Sequence, residues 1–298
     1  MPPIFARSLA GIALLAILST IVAAEPRADD KKKPAKAPNI VKGKGAEKLV
    51  LLKLEVDALE KLYHLELNAK QLASLLTFAE KTAAKVPAPQ EAQASVTYYN
   101  VLKSLHDALL AQAEDRIREL SDTLDELQDK ETISIDDSFE MTDAALLAAP
   151  KAFRLLSAAQ VVAYLAAMDD EVPDPVERIL SALEEGAELN GDEWKELRDE
   201  TAEEVSWLAA GFNAAKTGKV KKDVADLLDR GHRFPGNELT KQWSTLEKDA
   251  HQLVADVSSL DVLQHYVERE LAELLSNPRT VTVLRLWIKQ LKAQTDKS

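Results

Sequence analysis

After an opening apolar run and a charged stretch, the chain settles from about residue 49 into apolar positions spaced by threes and fours. Such spacing puts side chains on one face of a helix. Leu52, Val56, Leu59 and Tyr63 predict a first helix ending near Leu67. Leu72, Leu75, Leu76 and Ala79 predict a second, fading at VPAP (86–89), where two prolines prevent continuation. Tyr98, Leu102, Leu105, Leu109, Ala113, Ile117, Leu120, Leu124 and Leu127 then form one stripe. They predict one long helix, with Ser121-Asp122 as the place where it could kink.

The stretch 131–150 breaks the pattern. It alternates briefly at Ile133 and Ile135 and ends at Pro150. It reads as a connecting loop, and a loop that long in a compact domain invites a functional role. Beyond it, Asp174-Pro175-Val176-Glu177 places a cap, a first-turn proline and an N3 glutamate in order, opening a helix with Ile179, Leu180 and Leu183. Asn190-Gly191-Asp192-Glu193 is read as a second such start, for a helix bearing Trp194, Leu197, Val205, Leu208 and Phe212. A short helix over 220–228 follows, stopped by Gly231 and FPG at 234–236. Leu239, Trp243, Leu246, Ala250, Leu253, Val257 and Leu260 keep four-three spacing, the signature of a coiled-coil-like seam. Asn277-Pro278 opens a last helix with Val281, Leu284, Trp287, Ile288 and Leu291 inward. The expectation is an all-α, multi-helix bundle of two helical halves, 49–130 and 151–298, with long amphipathic helices.

Two segments nearly repeat each other: LELNAKQLASLL (65–76) and RLLSAAQVVAYL (154–165). In the first, the Asn68 side chain can accept from the N–H of Gln71 while Gln71 reaches back to the N–H of Asn68, a capping box. Leu67 and Leu72 stand where a hydrophobic staple needs them. In the second, Ser157, Gln160, Leu156 and Val161 take these roles. Asn68, Gln71, Ser157, Gln160, Asp174 and Asn190 are thus structural helix-capping positions, each cap contributing about 1 kcal/mol.

Composition adds compartment. Arg7 gives a short positive region, LAGIALLAIL an apolar one, and Val22-Ala23-Ala24 the small residues suited to cleavage before Glu25. Residues 1–24 therefore read as a signal peptide cleaved after Ala24, and the protein as periplasmic or secreted. The apolar run, about 15 residues, is shorter than the roughly 20 a spanning helix needs, although an uncleaved anchor is the competing reading. No stable membrane insertion is expected after cleavage. Residues 25–48, rich in Pro, Lys and Ala, read as a flexible charged linker. There is no cysteine, so an exported chain must be held by its core alone. Cleavage removes one arginine and no acid and moves the formal charge from −13 to −14. Such a surface repels phosphate backbones, which argues against nucleic-acid partners.

The motif L-[ST]-x-x-Q, carried by LSAAQ at 156–160 and, with Asn68 in place of Ser or Thr, by LNAKQ at 67–71, resembles the LTXXQ family of periplasmic helical proteins (the Spy and CpxP type). That resemblance implies helix starts in a cradle-shaped, homodimeric fold that binds unfolded or regulatory proteins. Fuller similarity is expected with secreted bacterial helical proteins.

Catalytic signatures are missing. The sequence has no G-x-S-x-G, H-E-x-x-H, phosphate loop or dinucleotide fingerprint, and Gly43-Lys44-Gly45 belongs to the linker. His251 and His265 could share one helix side, but about 21 Å would separate them. His106 with Asp107 is the remaining metal candidate, weighed against an ordinary solvated surface. Asp169-Asp170 and Glu184-Glu185 read as solvated charges. Trp194, Trp243 and Trp287 read as core anchors. Trp207 falls off the Trp194–Leu208 stripe and is the candidate for facing a partner. The expectation is thus an exported protein without cofactor or metal that binds other proteins, chaperone-like or adaptor-like. The alternatives are an acid- or histidine-based envelope enzyme, with or without a metal ion, and a structural envelope component held by an uncleaved leader.

Overall fold

The computed structural model describes residue 41 and residues 44–85, 92–167 and 172–295. The leader, its cleavage site, the linker up to residue 40, the VPAP break and the Asp169-Asp170 pair lie outside the described residues. Helix α1 (Lys44–His64) starts inside the stretch expected to be linker, because Leu49 and Val50 are already buried and anchor its first turns. It is followed by α2 (Ala69–Thr82), α3 (Val96–Ala111), α4 (Glu114–Lys130), α5 (Asp143–Phe153) and α6 (Ala158–Ala167). Then come α7 (Pro175–Glu185), α8 (Gly191–Ala210), α9 (Ala214–His232), α10 (Gly236–Leu253), α11 (Ser259–Ser276) and α12 (Thr280–Thr295). The only strands among the described residues are β1 (Ala92–Gln93) and β2 (Ser134–Ile135), paired antiparallel with Ala92 opposite Ile135. The fold is all-α.

Several elements depart from the apolar pattern. The run over 98–127 is two helices. Gln112 turns left-handed at φ 54, and Glu114 and Asp115 open α4, where acids favour a helix N-terminus. The stripe continues across the break because α4 folds back against α3, so both bury the same kind of face. The expected loop 131–150 contains β2 and most of α5. Thr142 caps α5 by accepting from the N–H of Ala145 at 3.1 Å, and Pro150, read as a stop, sits inside the helix. Helix α9 is longer than the expected 220–228, with Gly218 within it. The seam 239–260 is interrupted, since α10 ends at Leu253 and the Ser258–Asp261 capping box starts α11. Leu260 is consequently 73% exposed.

Two main cores result, and they do not follow the division into halves. Buried residues of α1–α6, among them Leu59, Leu75, Leu105, Ala149 and Tyr164, join those of α11 and α12, among them Leu271, Leu275, Leu284 and Trp287. The second core belongs to α7–α10, with Ile179, Leu183, Val205, Leu228 and Leu246 at its centre. The C-terminal pair therefore returns to the N-terminal core. Thr82 ties this closure by donating to the Leu275 carbonyl at 2.9 Å, and the Asn277 amide donates to the Leu54 carbonyl at 2.9 Å. Trp207, Leu208 and Val262 form a small third cluster joining α8 to α11.

Candidate functional site

The two near-repeats meet in space. At the first, Asn68 Oδ1 accepts from the N–H groups of Lys70 and Gln71, both at 3.0 Å, and Gln71 Oε1 accepts from the N–H of Asn68 at 2.9 Å. At the second, Ser157 Oγ accepts from the N–H of Gln160 at 3.2 Å, and Gln160 Oε1 accepts from the N–H of Ser157 at 3.0 Å. Each glutamine spends its oxygen on its own cap and its amide on the other corner. Gln71 Nε2 donates to the Leu155 carbonyl at 2.6 Å and to Gln160 Oε1 at 2.9 Å. Gln160 Nε2 donates to the Glu66 carbonyl at 3.0 Å and faces Gln71 Oε1 at 3.2 Å.

The two glutamines are 89 residues apart, as are the two caps and the two acceptors Glu66 and Leu155. The pattern is thus a local two-fold, in which the helix pair α1–α2 is exchanged with α5–α6. This pairing answers why the motif is written twice: either box alone starts a helix, but only the pair locks two helical corners together. Glu66 holds φ 47, an uncommon value for a residue with a Cβ, and the Gln160 amide engages its carbonyl.

Helix α1 enters the first corner with most of its apolar side chains buried and, besides Glu55, a row of charge along its second half. Lys53, Asp57, Glu60 and His64 follow one another by threes and fours, and Lys61 stands four residues after Asp57, which stacks them along one face. Lys53 pairs with Asp57, and Lys61 lies 2.9 Å from both Glu270 and Glu273 of α11. Glu60 lies between these pairs. Burial, and after it the charge of Asp57, lifts its pKa from 4.5 to about 7. Burial also lowers the pKa of His64, favouring the neutral ring. Asp57, Glu60, Lys61, His64, Phe139 and Glu273 line a cleft of about 290 Å³. A carboxyl poised near neutrality beside a neutral imidazole one turn away can give and take a proton. Sequence reasoning passed over this row. Its signal was ionisable residues at helical spacing on a helix rich in leucine and valine.

The remaining candidates lie apart from this cleft. Asp174 caps α7, accepting from the N–H groups of Val176 at 2.7 Å and Glu177 at 3.1 Å. Asn190 stands at the N-cap position of α8, but its side chain makes no capping bond. Gly191 turns at φ 58, and the Asn190 amide points back to the Glu188 carbonyl at 3.5 Å. Trp207 does not face outward. It is 9% exposed, with the Arg269 guanidinium 4.1 Å from its ring centroid and Tyr266 packed against it. It lies off the Trp194 stripe because α8 buries a second face against α11.

His251 and His265 sit on different helices. His265 Nδ1 lies 2.8 Å from the Leu208 carbonyl, its ring occupying the space a Cβ at Gly211 would fill. His106 lies 3.3 Å from Glu55, which Arg279 also engages. His232 stacks on Trp194 with centroids 4.1 Å apart. Among the described residues no three His, Asp or Glu side chains are placed to hold a metal ion. Comparison of the chain with protein-family models, with curated proteins and with solved structures found no match.

Proposed function

We propose that this chain is an exported helical protein that works by binding other proteins in the cell envelope, holding apolar segments of unfolded clients in a chaperone-like way. The observation that carries this reading is the outward face of α6. Ala158, Ala159, Val162 and Ala166 are exposed along a helix without a single Asp, Glu, Lys or Arg, and Val162 is 67% exposed. On the preceding helix α5, Leu147 is 72% exposed. Large apolar side chains left in water, here on the charge-free α6 and next to it on α5, mark a surface that gains from being covered. An unfolded client supplies apolar side chains without demanding a matching charge pattern. The paired glutamines hold the corner between these helices, so the surface does not have to be ordered on binding. Export and the L-[ST]-x-x-Q resemblance support the same reading. No single described helix is long and apolar enough to cross a membrane, and α5 and α6 meet at 118°.

The test is light scattering from a client protein unfolded by heat in the presence of residues 25–298. Scattering should fall with added chain. Val162→Asp and Leu147→Asp should abolish the effect while leaving the helical circular dichroism unchanged. A chain that leaves scattering untouched would refute the proposal. N-terminal sequencing of the exported protein, expected to begin at Glu25, tests the compartment.

Glu60 favours a second reading, acid–base chemistry in the α1 cleft. Chromogenic ester and phosphomonoester substrates should then turn over with an inflection near the Glu60 value of about 7. Glu60→Gln should remove that turnover while leaving client protection intact.

A further inference from the structure

Where α10 turns into α11, a groove of about 460 Å³ opens against the start of α7. Its walls are Val172, Pro173, Val254, Val257 and Leu263, all half-buried, and Val176 and Val262 lie beneath them. Leu260, at 73% exposure, projects one residue beyond the lining Ser259. No lysine or arginine lines the groove. Its lining includes Asp174 and His251, and two exposed acids neighbour lining residues in the chain: Asp256 stands between Ala255 and Val257, and Asp261 immediately precedes Val262.

Both helix N-termini at this groove carry a side-chain cap. Asp174 accepts from two N–H groups of α7, and Ser258 accepts from the N–H of Asp261 at 3.2 Å in α11. Hydrogen bonds from Ser258 also hold the Asp261 carboxyl below the usual carboxylate range, so it is ionised at neutral pH.

We infer that this groove binds a short apolar peptide segment flanked by basic residues. The size admits two or three branched side chains and not a folded domain. The apolar walls remove those side chains from water, and the carboxylates in and beside the lining meet the flanking lysines or arginines. The inference rests on the reading of the chain as a protein-binding protein. It adds a site separate from α6, with a defined ligand chemistry.

The test uses residues 25–298 and a fluorescein-labelled peptide, Leu-Val-Leu-Val between two lysines on each side, followed by anisotropy. The same core between glutamates is the comparison. The lysine-flanked peptide should bind about tenfold more tightly or better. Leu260→Asp, at an exposed position the fold does not need, should weaken it about tenfold. Asp256→Lys should shrink the preference for lysine flanks, and Val162→Asp on α6 should leave binding unchanged. Equal binding of the two peptides, or unchanged binding in Leu260→Asp, overturns the inference. Peptide binding without client protection would sink the chaperone reading and leave the groove standing, whereas client protection without peptide binding does the reverse.

Discussion

The corner between α1 and α2 and the corner between α5 and α6 share one hydrogen-bond pattern, 89 residues apart, but the helices around them present different surfaces. Where α1 carries Asp57, Glu60 and His64, the corresponding positions of α5 hold Leu146, Ala149 and Phe153. Where α2 turns Lys70 and Thr77 to water, α6 turns Ala159 and Ala166. One corner therefore leads from a charged cleft and the other into an apolar face. The comparison teaches that the glutamine lock constrains backbone position and little else. Once each box starts its helix and each amide reaches the opposite carbonyl, the remaining positions are free to diverge.

Packing gives the largest test of how alike the corners are. Leu75 on α2 and Tyr164 on α6 occupy corresponding positions and are 2% and 1% exposed. Leu75→Ala should cost about 3 kcal/mol and Tyr164→Ala about 4 kcal/mol, read from urea unfolding curves. A much smaller loss at Tyr164 would mean that the second corner is docked rather than integrated into the core.

Next in size is a pH effect confined to the first corner. Burial and Asp57 raise the Glu60 pKa from 4.5 to about 7, so the folded state binds its proton more tightly than the unfolded chain. The resulting stabilisation is complete below about pH 4.5 and is lost as the pH climbs through about 7. The loss should be on the order of 2 kcal/mol once solvent screening is allowed for. His106, raised by its hydrogen bond with Glu55, acts in the same direction, so the informative quantity is wild type minus Glu60→Gln. Stability that falls equally in both proteins over this range would place the titration elsewhere.

Much of this architecture was legible in the sequence. The period of apolar residues fixed the all-α class, and the spacing Asn68-x-x-Gln71 and Ser157-x-x-Gln160 marked two helix starts. A capping box announces itself locally, because its partners lie three residues apart. The contact between the boxes did not, since nothing near Gln71 says that its amide donates to Leu155. Helix breaks were hidden for a related reason. Ala113 and Leu260 keep the apolar spacing through turns at which the chain reverses or restarts, so periodicity runs on after the rod has ended. The return of α11 and α12 to the first core depends on partners more than 190 residues away, such as Thr82 with Leu275. The buried charge of α1 was readable only as a row of ionisable residues. Which of them would be left between ion pairs depended on Glu270 and Glu273 arriving from α11.

The coupling between the corners is the third measurement. Gln71→Ala and Gln160→Ala each remove a bond to the local cap and bonds to the opposite corner, and each should cost about 2 kcal/mol. The double variant should cost less than the two together, by about 1 kcal/mol, because the bond between the amides can be lost only once. Strict additivity would mean that the two corners are independent helix starts that happen to lie side by side.

The smallest difference lies in the caps themselves. Asn68 Oδ1 serves two N–H groups, whereas Ser157 Oγ serves one and donates its own proton to Gln160 Oε1 at 3.1 Å. Asn68→Ala should therefore cost somewhat more than Ser157→Ala, both near 1 kcal/mol. Asn68→Ser would convert the first corner into the chemistry of the second. It should recover most of the loss, because a serine hydroxyl can still serve the Gln71 N–H and only the bond to the Lys70 N–H is given up. Hydrogen exchange at those two amides separates the contributions. Faster exchange at Lys70 alone in Asn68→Ser is the expected result, and equal loss of protection at both would show that the first corner needs the longer side chain to hold Glu66 in its left-handed conformation.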